Sequence, residues 1–341
     1  MTVVVPAYNE QERLVGMLEE AVNYLEHEYG TLNEKAEWAA SENGIPVRRR
    51  PSGRTEINGN FSRDSYSEPL QNWEILLIDD GSADYTVSTA LDFARNHQLP
   101  LRPRRNTGPW TSGADHAVNI PPGSIRIVSL RQNRGKGGAV IHGMRHARGQ
   151  YVVFADADGA SKFDDLGKLV RACQKLEKHE TLGLNDRETA SNEAEWNRYH
   201  HLCHDHSRKA IAVGSRAHLV GSEAVVQRSR LRNFLMHSFH LLLKLLTPPA
   251  TAKIKDTQCG FKLFSRASLP DIIPYMHSEG WIFDVEMLML AEFAGIPVVE
   301  VPVGWREVGG SKLNVLWDSL GMAWGLALLR ICWGLGIYRR E

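Results

Sequence analysis

Hydrophobic positions along the chain fall into two alternating textures. Short β-branched or aromatic runs at Thr2–Val5, Glu74–Ile78, Ile125–Leu130, Tyr151–Ala155 and Ala210–Val213 read as strands. Between the first two, Leu14, Leu18, Ala21, Val22 and Leu25 recur at helical spacing, and Asn9 with Glu12 resembles the capping box that would start that helix. Near-continuous apolar strands alternating with helices predict an α/β fold, a mostly parallel sheet with helices on both faces. Three polar segments, residues 30–72, 97–123 and 180–208, break the rhythm. Each is rich in Arg, Asn, Ser, Pro or Glu and lacks apolar periodicity, so they read as partly disordered surface insertions within one domain over 1–314.

Composition narrows the classes. At 341 residues with 43% hydrophobic positions, the chain is long enough to bury a large α/β core. Lys+Arg and Asp+Glu balance at 40 each, so no global field favours nucleic acid, and partners must be sought in local patches. Cys173, Cys203, Cys259 and Cys332 are scattered without CxxC spacing, which argues against a disulfide framework and for a reducing compartment. The run Tyr199–His206, "YHHLCHDH", matches no standard zinc spacing, and the Asn60–Ser62 sequon reads as chance. No signal peptide precedes the strand that begins at residue 2, an abrupt start that points to a segment upstream.

In a doubly wound sheet, ligands bind beyond the carboxyl ends of the strands. Those ends read "PAYNE" (Pro6–Glu10), "DDGS" (Asp79–Ser82), "RQNRGKGGA" (Arg131–Ala139) and "DADGA" (Asp156–Ala160). Acidic, glycine-rich and basic groups therefore converge on one rim. Asp156 and Asp158 repel one another unless a hard cation holds them, one that also takes water and substrate phosphate oxygens. The glycines of "RGKGG" could let backbone approach a diphosphate, with Lys136 as a point charge.

These segments, in this order, resemble the signatures of family 2 glycosyltransferases with the GT-A fold. "GSRAHLVGSEAVVQRSRLRNFLMHSFHLLLKLL", "DTQCGFKLFSR", "GWIFDVEMLMLA" and "EVPVGWREVGGSKLN" narrow the resemblance to the dolichyl-phosphate β-glucosyltransferases. The resemblance implies inverting transfer of glucose from UDP-glucose to dolichyl phosphate, giving dolichyl β-D-glucosyl phosphate and UDP for the N-glycosylation pathway. It assigns Pro6, Ala7, Tyr8, Glu10, Asp80, Lys136 and Asp156 to the sugar nucleotide, and Asp156 with Asp158 to Mg²⁺ or Mn²⁺. Arg216, Arg228, Arg230 and Arg232 would take the acceptor phosphate, a task suited to planar, always-charged guanidinium. Trp281 would pack on the glucose ring beside the acceptor. Asp284 would act as base or orient the reactants, with Asp256 as the competing choice.

Two apolar stretches fit a lipid substrate. Residues 231–246 are apolar on more than one face with basic residues interspersed, the character of an interfacial helix. Residues 315–341 read as a C-terminal amphipathic or membrane-associated helix, since Arg330 and several glycines and tryptophans argue against a span. The family usually carries an N-terminal anchor, and the resemblance implies the endoplasmic reticulum membrane with the catalytic domain facing the cytosol. Two alternatives stay open: a related polyprenyl-phosphate glycosyltransferase using GDP-mannose or another sugar nucleotide, and a non-catalytic nucleotide-sugar-binding membrane module.

Overall fold

The strand signals assemble into a single mixed sheet. The computed structural model describes residues 1–30, 73–98, 123–188, 209–219, 238–239, 241–309 and 315–339. Among them, β1 (Thr2–Ala7), β2 (Glu74–Asp79), β3 (Ile125–Ser129), β4 (Tyr151–Ala155), β5 (Ile211–Ser215), β6 (Phe261–Ser265) and β7 (Val298–Pro302) lie in the order β3-β2-β1-β4-β6-β5-β7. Strand β1 is parallel to β2 and β4, β2 to β3 and β5 to β7, whereas β6 runs antiparallel to both β4 and β5.

Side chains of successive strand residues point to opposite faces, and the two faces bury different helices. On one face Val3, Val5, Ile75, Leu77, Val153, Phe261 and Leu263 pack with α1 (Leu14–Tyr29), α2 (Thr86–Gln98) and the first turns of α4 (Leu166–Glu188). On the other, Val4, Leu76, Ile78, Phe154 and Phe264 meet α3 (Gly135–Arg145) and α6 (Phe283–Phe293). A short helix α5 (Pro249–Lys253) precedes β6, and α7 (Val315–Gly334) closes the chain. Helix α7 packs Leu326 and Leu329 against Ile282, Val285 and Met289, with Leu243 completing the cluster.

Three local expectations change. Strands β6 and β7 are absent from the sequence reading, because Lys262 interrupts one apolar run and Glu300 the other. The helix of residues 166–188 continues through Glu188, into a stretch read as insertion. The capping box does not form: α1 starts at Leu14 with no side-chain cap, while Asn9, at φ 54°, accepts from the Ala83 and Asp84 amides. A tertiary partner for Asn9 outcompetes the local one. The bulk of the three polar segments, with Tyr199–His206, Cys203 and Asn60, lies outside the described residues; Cys173, Cys259 and Cys332 are free and buried.

At the amino-terminal edge of the strands, Glu74 gathers the Thr2 hydroxyl (2.7 Å), the Arg148 amide and Nε (both 2.9 Å) and Arg126 Nη2 (2.6 Å). Burial works to raise the Glu74 carboxyl, but hydrogen bonds from Arg148 and Thr2 and the Arg126 charge hold it below the ordinary range. A depressed folded value gives stability that is full above the unfolded value of ~4.3 and is lost as pH falls through the folded one. Glu74→Gln is therefore expected to lower the melting temperature at neutral pH and to flatten its acid limb below pH ~5. An acid limb as steep as that of wild type would show that the cluster is not what acid unfolds.

Candidate active site

The parallel order β3-β2-β1-β4 brings the four chemical strand ends to one rim. Pro6 and Ala7 are buried in β1, and Ala7 O accepts the Asp80 amide at 2.8 Å. Tyr8, next along the chain, is 42% exposed at the rim. Glu10 is gripped by Arg13, whose Nη2 and Nε lie 2.6 and 2.8 Å from its oxygens. Asp80 is buried and accepts the Arg134 amide at 2.7 Å, so it fixes the start of the glycine-rich loop. Burial pushes its carboxyl up. The loop's glycines serve protein packing: a Cβ on Gly137 would stand 2.6 Å from Phe283 Cβ and 2.7 Å from Glu279 O.

The acidic pair sits where β4 ends. Asp158 accepts the Ala160 amide at 3.0 Å, and Arg13 Nη1 lies 3.9 Å from its other oxygen. Burial and the neighbouring Asp156 push the Asp158 carboxyl up, the signature of like charges held together. Asp156 Oδ1 is buried against the Lys136 ammonium, whose Nζ lies 2.6 Å away. Gly260 forms the cradle under this carboxylate: its carbonyl accepts the Asp156 amide at 3.1 Å, and a Cβ there would come within 1.9 Å of Asp156 Oδ2. Among the described residues no three His, Cys, Asp or Glu side chains gather to hold a metal. Two hard carboxylates, one of which raises the proton affinity of the other, fit an ion that takes its remaining ligands from water and substrate.

Lys136 stands between acids. Burial opposes its charge, but Asp156, Asp284 and Asp158 outweigh that and hold its ammonium above the ordinary lysine range. Its Nζ is also 5.9 Å from the centroid of Trp281, which is 42% exposed. Asp284 lies in the first turn of α6, where the helix dipole favours an anion, and is buried against Lys262. Burial pushes its carboxyl up, with Lys262 and Lys136 pulling the other way.

Asp256 and Arg216 meet each other. Asp256 Oδ2 accepts from the Arg216 amide (2.9 Å) and Nε (2.7 Å), and Oδ1 accepts from Nη2 (2.8 Å). Burial works to raise the Asp256 carboxyl, but the Arg216 bonds and charge hold it below the ordinary range, which makes it a weak proton acceptor. The guanidinium carbon lies 5.8 Å from the Trp305 ring centroid. Arg228, Arg230 and Arg232 lie outside the described residues.

Comparison with known proteins places this rim in context. Residues 62–272 match the model for glycosyl transferase family 2. Dolichyl-phosphate β-glucosyltransferase of Saccharomyces cerevisiae is 38% identical over 99% of this chain and 76% of that protein, and the Homo sapiens protein of the same name is 34% identical over 100% and 78%. The chain belongs to the dolichyl-phosphate β-glucosyltransferase family. Among solved structures, glucosyl-3-phosphoglycerate synthase of Mycobacterium tuberculosis in complex with Mn²⁺ and UDP-glucose superposes with a TM-score of 0.51 at 14% identity, over 96% of this chain and 78% of that one. At that identity the likeness shows the fold alone, a GT-A-like α/β fold with a mostly parallel mixed sheet.

Within this family frame, the sequence reading missed Arg13, Gly260, Lys262 and Trp305. Lys262 and Gly260 both lie in "DTQCGFKLFSR", and a lysine inside an otherwise apolar run was the available signal.

Proposed function

We propose that the protein transfers glucose from UDP-glucose to dolichyl phosphate with inversion, giving dolichyl β-D-glucosyl phosphate and UDP. The observation that carries this reading is the alignment with dolichyl-phosphate β-glucosyltransferases along 99% of the chain. One bond forms, from an acceptor phosphate oxygen to C1 of glucose. One breaks, from C1 to the β-phosphate oxygen of UDP, which keeps the electron pair. A phosphate monoester has its second pKa near ~6, so the acceptor is already a dianion at neutral pH and needs positioning more than deprotonation.

Tyr8, Asp80 and Lys136 would hold the nucleotide side, and the Asp284 charge would face the positive charge growing at C1. Arg216, with Arg228, Arg230 and Arg232, would meet the acceptor phosphate, and Trp281 the sugar. Asp156 and Asp158 would hold Mg²⁺ or Mn²⁺, which when bound neutralises charge building on the departing diphosphate.

The outer face of α7 supports attachment to a membrane surface. Leu320, Trp324, Leu328 and Ile331 recur every three or four residues and are exposed, as are Leu335 just past the end of the helix and Leu241 and Leu245, which flank Leu243 of the cluster under it. No helix among the described residues is long and apolar enough to cross a membrane. An in-plane helix would bring the lipid acceptor to the rim, and the same reading carries location at the endoplasmic reticulum with the site facing the cytosol.

The test offers a short polyprenyl phosphate with several labelled sugar nucleotides. UDP-glucose is expected to give a β-linked glycolipid, and GDP-mannose none. A mannolipid would move the reading to the sibling transferase. Nucleotide binding without any glycolipid would leave a binding module.

A further inference from the structure

Alternation along β6 sends Phe261 and Leu263 to one core and leaves Lys262 on the other face with Phe264, paired in register with Phe154. Periodicity asks for an apolar side chain there, yet the position holds a fully buried lysine. Its Nζ donates to Cys259 O at 2.6 Å and to Asp284 Oδ1, and lies 5.1 Å from the Phe154 ring centroid. Two oxygens and an aromatic ring therefore surround the ammonium. A buried ion pair seldom stabilises a fold more than apolar residues of the same volume would, because desolvation offsets the attraction. Stability alone therefore gives no reason for a lysine at this place.

Its surroundings do. Asp284 is faced by Lys262 from β6, by Lys136 from α3 and by Asp156 from the turn after β4. Charges alternate along this line, Lys262, Asp284, Lys136, Asp156, and end at the carboxylate pair. Lys262 engages Oδ1 of Asp284, so Oδ2 is not spent on it. We propose that Lys262 is a positioning residue for glucosyl transfer, holding Asp284 as an anion in one orientation beneath the reacting sugar. The proposal rests on the role given to Asp284 above. Without Lys262, a carboxylate in so dry a place takes up a proton, and a neutral Asp284 no longer supports positive charge at C1.

Lys262→Met, Asp284→Asn and the double variant test this with two readouts. The first needs no turnover. In Lys262→Met the folded Asp284 ionises well above the unfolded value of ~3.9, so stability is highest at low pH and falls as pH rises toward the folded value. This slope between pH 5 and 9 is expected to be steeper than in wild type and to vanish in the double variant. A single variant that fails to fold while the double folds makes the same point. The second readout is kcat at saturating UDP-glucose. Lys262→Met is expected to lose ~50-fold at pH 7, with UDP affinity within ~3-fold of wild type, and to regain at least ~10-fold by pH 9 as Asp284 ionises. Asp284→Asn loses activity at every pH, and the double is no slower than Asp284→Asn. Wild-type kcat in Lys262→Met, or a loss equal at all pH values, would overturn the proposal. A wild-type protein that makes no glycolipid would instead overturn the proposed function, while the unfolding slopes still decide whether Lys262 fixes the Asp284 charge.

Discussion

Asp158→Ala is expected to lower glucosyl transfer at least ~10²-fold, and EDTA to abolish it, while thermal stability stays level or rises. On the proposed metal role, Asp158→Ala would withdraw one of two carboxylate ligands from a cation that would neutralise the departing diphosphate, an electrostatic contribution of about 3 kcal/mol or more. The stability gain follows from the geometry without a cation: Asp158 is pushed up by burial and by Asp156, so its removal relieves repulsion. Gly260→Ala is the independent check. Its Cβ would lie 1.9 Å from Asp156 Oδ2 and 2.2 Å from Cγ, too close for any side-chain pair. The Asp156 side chain is short and its amide is tied to the Gly260 carbonyl, so the carboxylate must swing out of place. Gly260→Ala should therefore reproduce the loss seen in Asp158→Ala, and Mn²⁺ binding in the presence of UDP, followed by electron paramagnetic resonance, should weaken in both. Full transfer in EDTA, or wild-type Mn²⁺ affinity in Gly260→Ala, would remove the metal from the account.

Why was the rim legible in the sequence when its wiring was not? Each of β1 to β4 ends in a short chemical segment immediately after an apolar run, so strand pattern and chemistry could be read together. Parallel pairing then does the gathering, since it puts all four carboxyl ends on one side. Charge pairing has no such local grammar. Arg216 and Asp256 stand in separate segments, and the resemblance gives them separate jobs, acceptor binding and proton transfer; their pairing with one another is visible only in the fold. The resemblance gives Glu10 to the nucleotide, and the structure adds a partner three residues on, Arg13, that no local pattern announces. Lys262 hid a strand because period and composition disagree at that residue: the backbone is β, the slot apolar, the side chain ionic. Local consistency fails at positions close to the candidate site, where function and folding make different demands.

Breaking the Arg216–Asp256 pair is expected to separate folding from transfer. Either Arg216→Ala or Asp256→Asn leaves a largely buried charge or donor set without its partner. Removing one member of a fully buried pair costs ~3–5 kcal/mol, and about 2 kcal/mol is expected here because the Arg216 side chain keeps 33% of its surface in water. The double variant buries neither charge and should recover most of that loss. Transfer should behave differently. If the Arg216 guanidinium, braced by Asp256 and by the Trp305 ring, presents its remaining N–H groups to the acceptor phosphate, Arg216→Ala lowers kcat/KM for polyprenyl phosphate by ~10²–10³-fold, and the double variant stays equally poor. UDP-glucose affinity should move less than ~3-fold in all three. The pH dependence supplies a control: Asp256 is held below the ordinary carboxylate range, so the pair's contribution is complete above pH ~4 and disappears only as pH falls further. Between pH 6 and 9 the ratio of variant to wild-type rates should therefore be flat. A double variant that regains wild-type kcat/KM together with its stability would make Arg216 a structural partner of Asp256 and leave acceptor recognition to Arg228, Arg230 and Arg232.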